Sequence, residues 1–306
     1  MSGIGNAQAA ASLEIAPAEV KAVDAPLLRE MLDFGAVHYP AGDPYRSQAY
    51  REWLFFANPH GCARAVVIRL ANQLIGQAAL IPVGFRAAGG VSRRGYFVVD
   101  VLTHPEYRNM KLFSRIIDAA MEFVRGDGAL LLGHPNKAAL RGWQRKSMQF
   151  QPSLHPRALL PMISGGRTLA ERDDVLAAWA GAEQRMVNTS CALEVSRSRD
   201  YIDWRFYQRP GKTYRVALRL DRQGAPVAFH ATTPWRHGIQ LLVDHWTDGR
   251  RVLATRFPTL AMLPADDRAI ANAARLPLSK EVPYFVTDPA DAGHDFSRVT
   301  LAASDF

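Results

Sequence analysis

The sequence predicts an α/β fold of the α+β type, built from two similar units in which helices flank a mixed, mostly antiparallel sheet. Three observations support this prediction. The chain has 306 residues, about twice the length of a typical domain. Residues 97–132 read as strand, polar loop, helix and strand, the pattern of a crossover between parallel strands. An aromatic motif that begins at Tyr50 recurs at Tyr201, each time ahead of strand-like segments.

The elements of the first unit follow from hydrophobic periodicity and from the positions of proline and glycine. We expect a disordered tail over residues 1–12, a short strand over 13–15, a helix over 20–34, an aromatic helix over 48–56, and strands over 63–70 and 74–81. The predicted division of the chain is the tail over 1–12, a first unit over 13–160, a connection with a helix over 161–190, and a second unit over 191–306.

Residues 97–132 are the most informative part of the first unit. An apolar run over 97–102 has the length of a buried strand, and a second such strand follows at 130–132. The helix between them has one apolar face, formed by Leu112, Phe113, Ile116, Ile117, Ala120 and Val124. A helix that begins directly after such a loop presents free backbone amides, which suit a pyrophosphate.

The loop before this helix resembles that of the GNAT acyltransferases, which transfer an acyl group from coenzyme A to an amine or a hydroxyl. The family pattern is V-x-x-x-x-R/Q-x-x-G-x-G/A. Thr103 stands at the first position and Arg108 at the basic position, after the residues His-Pro-Glu-Tyr. Lys111 replaces the first glycine and Phe113 replaces the last one, so the sequence departs from the pattern at both.

A second family signature, roughly N-x-x-A-x-x-x-Y-x-x-x-G-F, falls on Asn136, Ala139, Trp143, Ser147 and Met148. Trp143 stands at the tyrosine that often protonates the leaving thiolate in this family. An indole N–H cannot act as a general acid, so the resemblance is closer in spacing than in chemistry.

The resemblance implies acetyl-CoA as the co-substrate and no metal. Strand residues Val101 to Thr103 are expected to bind the pantetheine amides through their backbone, as an added strand would. Arg108 and the amides from Asn109 to Phe113 are expected to hold the pyrophosphate, and Asn136 to cap a helix beside the pantetheine arm. The predicted cofactor-binding residues are Val101, Leu102, Thr103, Arg108, Asn109, Met110, Lys111, Leu112, Phe113 and Asn136.

Two residues are candidates for proton transfer. Asp100 lies on the strand that leads to the cofactor loop, where it can act as a base or hold a neighbouring element in place. Its recurrence as Asp244 in the half without the loop favours the structural role. His134 follows the second apolar strand at the edge of the expected cleft, and histidine titrates near neutral pH. A packed histidine without a catalytic role is the alternative.

The two halves of the chain share two motifs in the same order. Residues 50–59 match 201–210 at a tyrosine, a tryptophan, a phenylalanine and a proline. The segment from Asp100 to Thr103 matches that from Asp244 to Thr247, and strand-like segments lie between the motifs in both halves. We therefore expect a duplicated unit whose second copy has lost the cofactor loop and serves to pack or to shape the acceptor site.

Composition limits the possible partners and locations. The net charge is +8 and the isoelectric point is about 9.7, but the arginines are dispersed, so we do not expect nucleic acid as a partner. Cys62 and Cys191 lie far apart, which argues against a disulfide framework and a zinc site. No apolar run reaches the length of a membrane span, and the start of the chain does not read as a leader, so we expect a cytoplasmic protein.

We therefore expect an N-acyltransferase in which a small-molecule amine, such as an amino sugar, attacks acetyl-CoA directly. One alternative is a catalytically inactive GNAT-fold protein that binds acyl-CoA or acts as a scaffold. Another is an aminoacyl-tRNA-dependent transferase, although the retained coenzyme loop argues against it. The sequence does not identify the acceptor, the acyl chain length or the oligomeric state.

Overall fold

The computed structural model contains two mixed β-sheets with helices around them. It describes residues 15–87, 91–146, 148–151, 153–159, 161, 166–180, 183, 193–248, 255–263, 273–275, 282–288 and 299–300. The predicted tail over 1–12, part of the predicted connection over 161–190, Ser147 and Cys191 lie outside these ranges. Within the described ranges, no helix is both long and apolar enough to cross a bilayer.

The first half of the chain carries six strands and four helices. They are β1 (Glu19–Ala22), α1 (Ala25–Ala36), α2 (Gln48–Phe55), β2 (Arg64–Leu70), β3 (Gln73–Ala87), β4 (Ser92–Thr103), α3 (Leu112–Gly126), β5 (Leu130–Gly133), α4 (Leu140–Gln144) and β6 (His155–Leu159). Short 3-10 helices at Pro44–Arg46 and Pro105–Met110 precede α2 and α3.

The second half repeats much of this order. Its described elements are β7 (Arg167–Leu169), α5 (Arg172–Ala180), β8 (Leu193–Val195), α6 (Arg199–Phe206), β9 (Arg215–Leu220), β10 (Pro226–Pro234), β11 (Gln240–Thr247), β12 (Thr259–Leu263), β13 (Ala273–Arg275), β14 (Phe285–Thr287) and β15 (Val299–Thr300). In each half a strand and a helix precede a short aromatic helix, and an antiparallel three-stranded meander follows it.

Both sheets are mixed and mostly antiparallel, as the sequence predicts. The first has the order β1-β2-β3-β4-β5-β14, with β8 beside the end of β3 and β15 beside β8. The second has the order β13-β6-β12-β11-β10-β9-β7. The parallel pairs are β4 with β5 and β8 with β15 in the first sheet, and β11 with β12 in the second.

The two halves exchange strands, since β6 joins the second sheet and β8, β14 and β15 join the first. β6 follows the helices of the first half but pairs with β12 of the second sheet, from Leu159 opposite Thr259 to His155 opposite Leu263. β14 comes from the second half but pairs with β5, with Phe285 opposite Gly133. Each sheet is therefore completed by the other half, and neither sheet can form in full without both parts of the chain.

The helices cover the sheets with the faces that their sequences predict. Helix α3 buries Leu112, Ile116, Ile117, Ala120 and Val124, and a Cβ at Gly76 of β3 would lie 3.2 Å from the Ile116 side chain. Gly76 therefore lets the helix approach the sheet closely. The largest apolar cluster joins residues of both halves, including those of α2 and α6.

Several predicted boundaries are wrong. The expected helix over 20–34 is a strand followed by α1, because Asp24 caps the helix by accepting a hydrogen bond from the Leu27 amide at 2.8 Å. Strand β3 extends to Ala87 instead of residue 81, since β4 pairs with it along nearly its whole length.

The predicted connection over 161–190 also contains part of a sheet. Arg167–Leu169 pairs with β9 and forms an edge of the second sheet, and the expected helix of the connection is α5, which begins at Arg172. Of the expected strand over 13–15, Ile15 makes a single bridge with Leu70, and the other two residues lie outside the described ranges.

Candidate functional site

Strand β4 separates from β5 where the cofactor loop approaches. The two strands pair in parallel only from Gly95 opposite Leu130 to Phe97 opposite Leu132. Beyond Phe97, residues 98–103 of β4 pair with β3 on one edge, and their other edge has no strand partner among the described residues. This edge holds the predicted residues Val101, Leu102 and Thr103, which are all half-buried. A bound chain can add to such an edge as a strand does.

A β-bulge follows the point of separation by a few residues. The β3–β4 register shifts between Gln77 and Ala79, and Asp100 has a positive φ of 56° at the bulge. A left-handed backbone is costly for an aspartate, so neighbouring contacts must hold it. The bulge lies within the stretch of β4 that has left β5, and it changes the direction of the strand there.

The predicted cofactor loop, residues 104–111, is a 3-10 helix with a left-handed end. His104 precedes Pro105–Met110, and Lys111 has a φ of 56° and a ψ of 26°. Helix α3 begins at the next residue, and the N-cap residue Lys111 forms no side-chain cap. The first amides of a helix lack intrahelical acceptors, so those of Leu112 and Phe113 are available to an anion.

The side chains of the loop mostly face solvent. Arg108, Asn109, Met110 and Lys111 are exposed, Phe113 is half-buried and Leu112 is buried in the core. Two cations therefore lie beside the start of α3, where a phosphate would be stabilised. In the left-handed end of the loop, Lys111 has the backbone that the family's glycine adopts without strain.

Helix α1 supports this loop from the other side. The Phe34 ring lies 6.3 Å from that of His104 and 5.0 Å from that of His38. The His104 ring in turn lies 5.1 Å from Tyr107. Burial lowers the pKa of His38, and the nearby Arg108 and His104 lower it further. No motif in the sequence marks Phe34 or His38 as site residues.

Asp100 is the centre of a buried polar network. Its carboxylate accepts hydrogen bonds from Tyr39 at 2.8 Å, Arg51 at 2.6 Å and Gln77 at 2.6 Å. Burial raises the pKa of Asp100 to about 6, and the Arg51 charge and the three donors act in the opposite direction. The carboxylate is therefore ionised at neutral pH. Its three hydrogen bonds tie the bulge to neighbouring elements, which is a structural role.

No sequence signal predicts the partners of Asp100, because Tyr39, Arg51 and Gln77 lie 23 to 61 residues away in the chain. Arg51 lies inside the aromatic motif, but nothing in that motif indicates that Arg51 pairs with the carboxylate of Asp100. A Cβ at Gly35 would lie 2.7 Å from the Arg51 guanidinium, so this glycine makes room for the ion pair. Folding alone brings the four residues together.

His134 follows β5 at the mouth of the gap between β4 and β5. Its ring lies 5.5 Å from the ring of Phe97, which is the last residue of β4 that pairs with β5. It lies 5.7 Å from the ring of Tyr284, which precedes β14. Burial lowers the pKa of His134 to about 4, with the backbone of Pro283 opposing the shift. The imidazole is therefore neutral at pH 7, and a residue of the second half forms part of its surroundings.

The second signature begins a short helical turn. Asn136 accepts a hydrogen bond from the Ala139 amide at 2.9 Å through its side chain, and its own carbonyl accepts from the Leu140 amide. It caps this turn, and α4 itself starts at Leu140. Trp143 is buried, with its ring 5.7 Å from Phe113 and 4.7 Å from Phe285. It therefore fills the core, and its indole N–H is not acidic enough to protonate a thiolate.

The second half has a related aspartate with a different partner. Arg197 donates to Asp244 at 2.8 Å and lies 3.7 Å from Glu194. A register shift lies beside Asp244, and β11 pairs with β12 only through Gln240 and Leu241. The residues after Asp248 that correspond to the cofactor loop lie outside the described ranges.

Known families and structures match this architecture. Residues 32–139 match the family model described as an acetyltransferase (GNAT) domain. The chain is similar to a conserved protein of unknown function from Enterococcus faecalis V583, called a probable N-acyltransferase, with 13% identity and a TM-score of 0.64. That match covers 90% of this chain and 73% of the other. No curated protein matches the chain.

Two further structures have the same arrangement. A GCN5-related N-acetyltransferase from Anabaena variabilis ATCC 29413 matches with 13% identity, a TM-score of 0.62, and coverage of 89% of this chain and 73% of the other. Saccharomyces cerevisiae N-myristoyltransferase with bound myristoyl-CoA matches with 10% identity, a TM-score of 0.53, and coverage of 89% and 83%. At these identities the likeness is one of fold. The chain therefore has the fold of GNAT acyltransferases, and residues 32–139 are the part that matches the acetyltransferase (GNAT) domain model.

Proposed function

We propose that this protein transfers an acetyl group from acetyl-CoA to a small-molecule amine. One observation carries the proposal. The edge of β4 that has left β5 leads into the predicted cofactor loop, which ends in the left-handed Lys111 and the free amides of α3. The edge suits the amides of a pantetheine arm, and the loop suits a pyrophosphate. One extended ligand that carries both groups fits the two features together.

The reaction requires no acyl-enzyme. The amine attacks the carbonyl carbon of the thioester, the C–S bond breaks, and the acetyl group remains on nitrogen while coenzyme A leaves as a thiolate. One proton leaves the amine and one is taken up by the thiolate. Placing the two reactants together supplies much of the acceleration, and unpaired backbone amides of β4 are suited to stabilise the developing oxyanion.

Of the two predicted proton acceptors, His134 suits the role better. Its imidazole is neutral at pH 7 and lies at the mouth of the β4–β5 gap, whereas the Asp100 carboxylate already accepts three hydrogen bonds. A pKa near 4 makes His134 a weak base. We propose that His134 removes the proton from the ammonium group that forms after the amine has attacked. A weak base suffices for this step, because that ammonium group is a strong acid relative to the free amine.

We also propose that the two halves are copies of one unit and that the second serves to pack and to shape the acceptor side. The support is the repeated order of elements, the shared N-caps and the strand exchange. Ser47 and Ser198 cap α2 and α6 by accepting hydrogen bonds from the amides of Tyr50 and Tyr201. The division we propose remains a first unit up to residue 160 and a second from about 191. Four described strands then cross it, since β6 lies in the second sheet and β8, β14 and β15 lie in the first.

A second candidate function is acyl-CoA binding without turnover. Trp143 favours it, because a buried indole occupies the position of the family's proton donor. Binding and turnover separate the two functions. Calorimetric titration with acetyl-CoA should show binding in both cases, and only an acetyltransferase should then release coenzyme A in the presence of an amine panel that includes amino sugars.

The turnover measurement needs one control. Cys62 is an exposed free thiol and will react with the reagent that detects coenzyme A, so the assay should use Cys62→Ser protein and an amine-free blank. Absence of acetyl-CoA binding would contradict both candidates. Binding with no turnover on any amine would favour the second one, and turnover with aminoacyl-tRNA instead would replace both.

A further inference from the structure

Three loops meet at one end of the second sheet. β9 begins there at Arg215, which pairs with Thr232 near the end of β10. The turn from β10 to β11 carries Trp235, and the Gln240 amide after it donates to the Pro258 carbonyl at 2.9 Å. The segment before β12 is thereby held beside this turn. We call the residues Lys212, Arg215, Trp235, Arg236, Arg256 and Phe257 the loop-end patch.

Two aromatic rings of the patch face solvent. Trp235 is 52% exposed and Phe257 is 45% exposed, which is unusual for large apolar side chains in this chain. An arginine lies over each ring: Arg236 is 5.7 Å from the centre of Trp235, and Arg215 is 4.8 Å from that of Phe257. The rings and the guanidinium groups therefore form one mixed surface.

The three arginines of the patch have no carboxylate partner among the residues that the structure describes. Residues 209–217, 232–243 and 255–263 contain no aspartate or glutamate. The β3–β4 end of the first sheet differs, since Arg94 there pairs with Asp127 and Arg93 with Asp288. The two sheets therefore differ at this end in how their arginines are paired.

We propose that the loop-end patch docks this protein on a bilayer surface that contains anionic lipids. Exposed tryptophan and phenylalanine at loop tips suit the interface between headgroups and acyl chains, and each nearby arginine adds attraction to anionic headgroups. The patch lies at the end of β11 opposite Asp244 and Thr247, so docking is separate from the proposed acetyl transfer, which belongs to the first half.

A single-stranded nucleic acid has complementary charge as well, but the geometry fits it less well. Base stacking needs open ring faces along a basic groove, whereas an arginine here covers one face of each ring. The two rings lie on separate loop tips instead of along one strand surface. Both rings nevertheless keep about half of their surface exposed, which a flat surface can contact.

Sedimentation with vesicles tests the proposal on the full chain. The protein should bind vesicles of phosphatidylcholine with phosphatidylglycerol, and much less those of phosphatidylcholine alone, and salt should weaken the binding. Trp235→Ala with Phe257→Ala should lower the partition coefficient about tenfold, and Arg236→Glu about fivefold or more. Arg29→Glu, the same charge change on an exposed position of α1, is the matched control and should lower it less than about twofold.

Two results would overturn the proposal. One is no partition of the unchanged protein to anionic vesicles. The other is an equal loss with Arg29→Glu and Arg236→Glu, which would mean that only net charge matters. Binding of a single-stranded oligonucleotide without any vesicle partition would assign the patch to nucleic acid instead. Thermal melts of all variants should match the unchanged protein, since each replaced side chain is exposed.

Discussion

Trp53 and Trp204 stack on each other with 4.6 Å between ring centres, and each indole N–H donates to the backbone carbonyl of the other residue, at 2.9 and 3.0 Å. The two residues occupy the same position in the repeated aromatic motif. The contact is therefore reciprocal, as between two copies of one helix related by an approximate twofold axis. It ties α2 of the first half to α6 of the second in the centre of the largest apolar cluster.

Replacing Trp204 with alanine should destabilise the protein by about 3–5 kcal/mol, the cost of deleting a large buried aromatic. It also leaves the Trp53 carbonyl without its donor. Urea unfolding measures the change. Trp204→Phe keeps a stacking ring and loses the hydrogen bond, so it should cost clearly less.

Trp235→Ala is the control for this prediction, because Trp235 is exposed and its loss should change stability by no more than about 0.5 kcal/mol. Hydrogen exchange would contradict the prediction if Trp204→Ala unfolded only the second sheet and left the first intact. The two halves would then be energetically independent.

The sequence predicts much of this fold and less of the site. The strand at 97–102, helix α3 and the recurrence of the aromatic motif all carry strong local signals, and the structure contains them. The exchange of β6 and β14 has no local signal, because strand pairing across the chain depends on tertiary packing. The partners of Asp100 could not be predicted for the same reason, since they lie far away in the chain. The left-handed backbone of Lys111 does follow from the sequence, because the family pattern has a glycine at that position.

Replacing Lys111 with glycine should stabilise the protein by about 1 kcal/mol, because a non-glycine residue pays for a left-handed backbone. Acetyl-CoA affinity should stay the same or improve, since the backbone amides of α3 remain. Thermal melts and calorimetry measure the two effects. Lys111→Ala separates charge from backbone strain, since it removes the ammonium and keeps the strain.

A loss of affinity shared by both Lys111 variants would show that the ammonium itself binds the cofactor. If the unchanged protein binds no acetyl-CoA and Lys111→Gly restores binding, the natural chain is not an acetyltransferase, and the proposed function is wrong.

Asparagine at position 100 should destabilise the protein by about 3–5 kcal/mol, because it leaves the fully buried Arg51 charge without a carboxylate. Asp244→Asn should cost less, since Arg197 keeps Glu194 at 3.7 Å. The two variants make the same chemical change at related positions. Equal losses in urea unfolding would contradict the expectation that Glu194 offsets part of the loss of Asp244.

Cofactor binding gives a second test of Asp100. If its network holds the bulge in the stretch of β4 that has left β5, Asp100→Asn should weaken acetyl-CoA binding under conditions where the variant is still folded. Asp244→Asn should leave the affinity unchanged, because its network lies beside the second sheet. Unchanged affinity in a folded Asp100→Asn protein would separate the bulge from the cofactor site.

His134 should give the stability a defined dependence on pH. Its folded-state pKa of about 4 lies below the value near 6.5 expected in the unfolded chain, so the unfolded state binds more protons between these limits. Stability should therefore fall as pH drops from about 6.5 to 4, by up to about 3 kcal/mol from this residue. His134→Gln should remove that part of the slope. His230 has a pKa lowered to about 4 by burial as well, and His230→Gln should reduce the slope similarly.

Activity then distinguishes the two histidines. At pH 7.5 both variants should be as stable as the unchanged protein to within about 1.5 kcal/mol. Only His134→Gln should lower kcat for acetyl transfer to an amine, because His230 lies in the second sheet, away from the β4–β5 gap. The value of kcat should recover in part with amines of lower pKa, which lose the proton to water more readily. Equal activity of the two variants would remove His134 from the reaction and leave it as a packed residue between Phe97 and Tyr284.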